Sequence, residues 1–230
     1  MQHGAFGSTT GKPMGEKVPS LGDLSSEVVF GSVWARPNLD LKSRMICTLA
    51  VLAALYRQPL RTYVNSALSL GIPREAIEEV IIQVGWYTGF PGIVAGLETV
   101  ASVCADRKIE RGEDSPPDAS SVAELEAAGR ALAELSGVGV TPGAEDLHAL
   151  DETYGYGLIW RRPGLDPKMR SGVAVAALTA LGFDRQLRSA FRLARHFGFE
   201  DEEIVEIVIQ SAPYGGFPRA FNALDLLSDL

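Results

Sequence analysis

The apolar positions of this chain fall in blocks of helical length, and the blocks recur in the same order. Residues 41–56 and 167–181 are apolar nearly all round, which suits helices in the middle of a bundle. In 60–70, Leu60, Val64, Ala67 and Leu68 form one stripe, so this segment reads as an amphipathic helix nearer the surface. Gly71 can cap it, and Pro73 suits the first turn of a third helix whose Glu75, Glu78 and Glu79 favour the N-terminal dipole. Ile77, Val80, Ile81 and Val84 then recur as Ile204, Ile207, Val208 and Ser211, behind Asp201, Glu202 and Glu203. Gly89 and Pro91 end that helix and start another. Residues 123–135, rich in Ala, Leu and Glu, predict a further helix closed by Gly137. No period-two stretch is long enough for a sheet, so the fold class is all-α.

Self-comparison makes the repetition explicit. The run from Trp34 to Arg44, with Arg36, Pro37, Leu39 and Asp40, returns from Trp160 to Arg170 with Arg162, Pro163, Leu165 and Asp166, an offset of 126 (160 − 34). Gly89-Phe90-Pro91 returns as Gly216-Phe217-Pro218 at an offset of 127 (216 − 89), which puts one extra residue in the second copy, in the turn after Leu181. The chain divides into a mobile tail (1–20), a first unit (21–107), a linker marked by Pro116-Pro117 (108–121) and a second unit (122–230).

With 230 residues, 46% of them hydrophobic, the chain can bury its core without staples. A net charge of −8 and no basic run argue against nucleic acid as a partner. No apolar run reaches the roughly 20 residues of a membrane span, and the start lacks a secretory core, so a cytoplasmic protein is expected. Cys47 and Cys104 lie singly in apolar surroundings and read as buried and inert. His3, His148 and His196 have no metal-binding spacing, and no metal or other cofactor is implied. The run Gly7 to Lys12 is one residue short of a phosphate loop, and Gly137-Val138-Gly139 follows a helix rather than a strand.

The run Gly31 to Asp40 and its repeat Gly157 to Asp166 resemble the opening motif of carboxymuconolactone decarboxylase domains. Arg44, the Ala-rich helix, Ala67-Leu68, the helix bearing Glu79 and Gly89-Phe90-Pro91 follow in that family's order, and the second copy matches it again over 129–222. The resemblance implies tandem AhpD-like helical bundles related by pseudo-twofold symmetry, a small-molecule substrate, and a homo-oligomer in which three fused pairs rebuild a hexamer-like assembly. Peroxidase members use a Cys-x-x-Cys pair, which is missing here, so peroxidase activity is not expected. Decarboxylase members carry a histidine four residues ahead of the Ala-Leu pair. Tyr63 holds that slot in the first unit and Ala190 in the second.

The first unit keeps Arg44, Tyr56, Arg57, Tyr63, Trp86 and Tyr87 where the second has Arg170, Gly182, Phe183, Ala190, Pro213 and Tyr214, and the site is therefore expected mainly in the first unit. Arg44 would anchor a carboxylate, Tyr63 would donate to an enolate or return a proton, and Glu79, like Glu206, is a candidate acid or base. Trp34, Tyr56, Arg57, Trp86 and Tyr87 would bind substrate. The structural alternatives are that the aromatics are core, that Arg44 pairs with a carboxylate, and that the glutamates form a solvated helix face. The expected function is a cofactor-independent lyase or isomerase acting on a small keto acid, lactone or specialised metabolite through carboxylate anchoring and enolate stabilisation. The alternative is a non-catalytic ligand-binding or assembly protein.

Overall fold

A computed structural model describes residues 19–112, 120–137 and 139–230. The tail assigned to 1–20 lies outside them except for Pro19 and Ser20, which open a helix; the run 7–12, Pro116-Pro117 and Val138 also lie outside. Among the described residues there are eleven α-helices and no strand.

The first unit contains α1 (Pro19–Leu24), continuing through wider π-type turns over Ser25–Trp34, then α2 (Leu41–Ala54), α3 (Leu60–Ser69), α4 (Arg74–Thr88) and α5 (Phe90–Asp106). A connecting helix, α6 (Val122–Ser136), starts on a capping box between Ser121 and Glu124 and ends at left-handed Gly137. The second unit repeats the plan: α7 (Glu145–Leu150) runs into π-type turns over Asp151–Tyr156 and a 3-10 turn, Ile159–Arg161. It continues with α8 (Pro167–Leu181), α9 (Asp184–His196), α10 (Asp201–Gly215) and α11 (Phe217–Ser228).

Equivalent residues build equivalent ends. Asp40 and Asp166 cap α2 and α8 by accepting backbone N–H bonds from the first turn. The extra residue of the second copy sits just after Phe183: Arg57 N–H bonds Leu52 O and Phe183 N–H bonds Leu178 O at offset 126, whereas Leu60 and Leu187, offset by 127, close the next turn.

The two all-apolar helices, α2 and α8, pack on each other at the centre. Each also packs against the third helix of the other unit, α10 on α2 and α4 on α8, so one continuous core spans both units. Outside this core, α6 lies across the π-type segment of the second unit. The crossing is close because both sides are glycine: a Cβ on Gly129 would meet Glu152 O at 1.7 Å, and one on Gly157 would meet Leu125 O at 2.2 Å. This clamp fixes the segment that carries Asp151 and Tyr156.

Candidate functional site

The central helices bring Arg44 and Arg170 into the interior, 1% and 0% exposed, where an unpaired cation would be prohibitive. Each finds its carboxylate in the other unit. Arg44 donates to Glu206 at 2.8 Å, to Gln210 at 3.2 Å and to the carbonyls of Arg36, Pro37 and Leu39. Its counterpart Arg170 donates to Glu79 at 2.7 Å, to Gln83 at 3.3 Å and to the carbonyls of Arg162 and Pro163. The partly exposed Arg36 and Arg162 complete the pattern with forked bonds to Glu206 and Glu79. Burial works against ionisation of Glu206, but the bonds from Arg36 and Arg44 outweigh it and hold its carboxyl below the usual range. Arg44 thus has its donors engaged by protein oxygens, and Glu79 is buried rather than on a solvated helix face. These two residues tie the units together.

The same pseudo-twofold relates two aromatic sites at the unit boundary, and they differ sharply. In the first, Trp34 donates from Nε1 to Tyr214 Oη at 2.8 Å, and the hydroxyls of Tyr63 and Tyr214 are 2.8 Å apart. Tyr63 stacks on Trp34 and meets Tyr214 edge to face. Gln210 donates to Thr48 in the layer below. Side chains of both units therefore fill this site, and desolvation pushes the phenols of Tyr63 and Tyr214 upward.

In the second site, Trp160 stands for Trp34, Tyr87 for Tyr214, Ala174 for Thr48 and Ala190 for Tyr63. Two alanines replace a hydroxyl-bearing side chain and a phenol ring, and a cavity of about 240 Å³ is lined by Ala174 and Ala190. Trp86 and Tyr87 of the first unit form one wall; Tyr156, Trp160, Phe183 and Leu178 of the second form much of the rest. Deprived of a tyrosine partner, Tyr87 accepts from Gln83 Nε2 at 2.8 Å, and its own hydroxyl proton remains for another acceptor. Burial pushes the phenols of Tyr87 and Tyr156 upward from the ordinary phenol value.

The cavity also holds Asp151, which has no counterpart in the closed site: the equivalent position is Ser25, and Pro213 stands where Trp86 would be. Trp86 Nε1 donates to Asp151 Oδ1 at 2.6 Å. Desolvation raises the Asp151 carboxyl above its ordinary value, and the indole bond and the charge of His148 only partly counter this. Gly155 makes the pair possible, since a Cβ there would fall 2.5 Å from Asp151 Oδ1 and 2.6 Å from Trp86 Nε1. A carboxyl with raised proton affinity, two phenols and an indole thus line one cavity.

The structure accordingly divides the set expected in the first unit. Trp86 and Tyr87 line the open cavity, Trp34 and Tyr63 belong to the closed site, and Arg44 and Glu79 lie in the cross-unit network. Tyr56 and Arg57 are apart from all of these, on an outer groove between α3 and α5, where Tyr56 adopts φ +51° and donates to Thr88 O. Asp151, Tyr156 and Trp160 are functional candidates that sequence reasoning missed. Cys47 is fully buried and its thiol is pushed up to about 12 by desolvation; Cys104 is also buried. Among the described residues, no group of three His, Cys, Asp or Glu residues is placed to hold a metal ion, and no helix is long and apolar enough to cross a membrane.

Comparison with known proteins agrees with the duplicated plan. The carboxymuconolactone decarboxylase family model matches residues 19–101 and again 145–229, leaving α6 outside both matches. The 4-carboxymuconolactone decarboxylase of Acinetobacter baylyi is 32% identical over 82 residues, covering 35% of this chain and 61% of that enzyme. An uncharacterised 15.0 kDa protein of Paracoccus denitrificans is 31% identical over 102 residues (43% of this chain, 76% of that protein). The nitrosuccinic acid decarboxylase of Metarhizium robertsii is 26% identical over 97 residues (42% and 67%). The fold is shared with the crystal structure of a protein named a gamma-carboxymuconolactone decarboxylase subunit from Burkholderia xenovorans, with TM-score 0.59 and 22% identity over 96% of this chain and 91% of that one.

Proposed function

The chain belongs to the carboxymuconolactone decarboxylase family, and from that premise we propose that it is a cofactor-independent lyase or isomerase whose active site is the open cavity between its two units. One observation carries the reading: Asp151, a carboxyl with raised proton affinity, faces an aromatic cavity beside Tyr87, whose hydroxyl proton is free to donate. Such a carboxyl can take a proton from carbon next to a carbonyl and return it elsewhere, while a phenol donates to the oxygen that gains charge. Trp86 holds Asp151 in place, and stacking with Tyr156 and Phe197 fixes Trp160 in the aromatic lining.

The absence of the family's histidine from both slots, with Tyr63 in one and Ala190 in the other, favours a second reading: a ligand-binding protein without turnover. Deuterium exchange in heavy water, followed by NMR across a panel of lactones, ketones and keto acids, separates the two. An enzyme exchanges or converts at least one compound, and Asp151→Asn lowers the rate about a hundredfold or more, in line with loss of a general base. Binding without exchange in the parent protein favours the second reading. For assembly, equivalent exposed residues on α5 (Phe90, Val94) and α11 (Phe217, Phe221) support the homo-oligomer that the family suggests.

A further inference from the structure

Resting on the cavity as active site, we infer that its substrate is an uncharged carbonyl compound with a small flat ring, such as an unsaturated lactone or cyclic enone, rather than a carboxylate. Among the residues lining the cavity, Asp151 is the one carboxyl, and none is Lys, Arg or His. Arg170, whose charge acts on Tyr87, is not among the lining residues; its terminal nitrogens are held by Glu79 and Gln83, and its Nε is buried without a partner. A bound carboxylate would lose its water and gain neither an arginine fork nor an ammonium, while facing another acid. A neutral carbonyl meets what is present: the Tyr87 hydroxyl as donor, and a lining to which Trp86, Tyr156 and Trp160 contribute aromatic surface. At about 240 Å³ the space is below the usual range for drug-sized ligands, which suits one small ring.

The chemistry closes without a co-reactant. Asp151 as carboxylate takes a proton from the saturated carbon that lies between the carbonyl and the C=C bond of a β,γ-unsaturated lactone or ketone. The C–H pair becomes a C=C bond, and the carbonyl π pair moves onto oxygen, where the Tyr87 hydroxyl donates a hydrogen bond. Reprotonation by Asp151 at the far carbon of the conjugated system restores the carbonyl and shifts the double bond. The net reaction is an isomerisation, with the carboxylate regenerated.

The test uses the full chain and calorimetric titration at neutral pH with a γ-methylbutenolide and its γ-carboxymethyl analogue, and in parallel with a cyclic enone and its carboxylated form. The uncharged member of each pair should bind at least about tenfold more tightly. Ala190→Tyr, which copies the closed site, should abolish binding, with melting and circular dichroism confirming the fold. Should that variant fold poorly, Ala174→Thr, the other residue copied from the closed site, should weaken binding in the same way. Asp151→Asn should narrow the preference by improving the anion's affinity. Equal or tighter binding of the carboxylates, still sensitive to Ala190→Tyr, overturns the inference while leaving the cavity as the site. If neither pair binds in a manner dependent on residues 190 and 174, the inference falls together with the reading on which it rests.

Discussion

At the scale of single residues, the Asp151–Trp86 pair depends on a missing side chain. Gly155→Ala would drive a methyl group into both partners, and their 2.6 Å hydrogen bond leaves no room for it. We expect a cost of about 1–3 kcal/mol from overpacking and a larger fractional loss of turnover than of stability, read by melting and by the exchange assay. Asp151 also gives a signed pH effect. Its carboxyl is raised by desolvation, so folding takes up a proton: the contribution is full below the unfolded value near 3.8 and is lost as pH rises through the folded value. Asp151→Asn removes that loss, and its melting temperature relative to the parent should rise from acid to neutral pH; a constant difference would count against a perturbed Asp151. Sequence alone pointed to Trp86 and Tyr87 but not to Asp151. The signal was in the repeat, where Asp151 faces Ser25 and Trp86 faces Pro213, but it is visible only if a site is allowed to draw on both copies.

At the scale of elements, the helices were readable because periodicity, caps and breakers agreed. The segment 167–181 and the helix ending at Gly137 appear as expected, and Asp40 and Asp166 cap equivalent starts. The π-type turns were not readable, because one extra residue per turn preserves composition while rotating the side chains. What the elements do to each other follows from their buried ions. Glu206→Gln leaves Arg44 buried without its counter-charge, and removal of one partner from a buried pair costs about 3–5 kcal/mol. Because the folded value of Glu206 is depressed, its contribution is present above the unfolded value near 4.5 and is lost as pH falls through the folded one. The gap in melting temperature between parent and variant should therefore be widest near neutrality and close in acid. Gly129→Ala tests the clamp by other means: its Cβ would strike the Glu152 carbonyl, so α6 must shift, and amide exchange over 151–156 should speed up while α2 and α8 stay protected.

At the scale of the whole molecule, sequence reasoning placed two similar units side by side and assigned one of them the site, but the structure makes each unit complete the other. Arg44 and Arg170 are the largest fully buried side chains, and their carboxylates, Glu206 and Glu79, come from the opposite unit. A unit folded alone would hold a buried guanidinium without its carboxylate and expose the apolar faces by which α2 and α8 meet. Offset 126 aligned the arginines with each other, and nothing in a linear repeat says that their partners cross over. Splitting the chain within residues 113–119, between α5 and α6, tests this directly. Each fragment alone should lack a cooperative melting transition, and mixing equal amounts should restore one, with a midpoint that rises with concentration because folding is then coupled to association. Restored ligand binding in the mixture would follow from Trp86 and Tyr87 meeting Asp151 and Trp160 only across the boundary. Independent cooperative melting of either fragment would instead mean that the crossed pairs are incidental, and that the two units are ordinary domains which happen to touch.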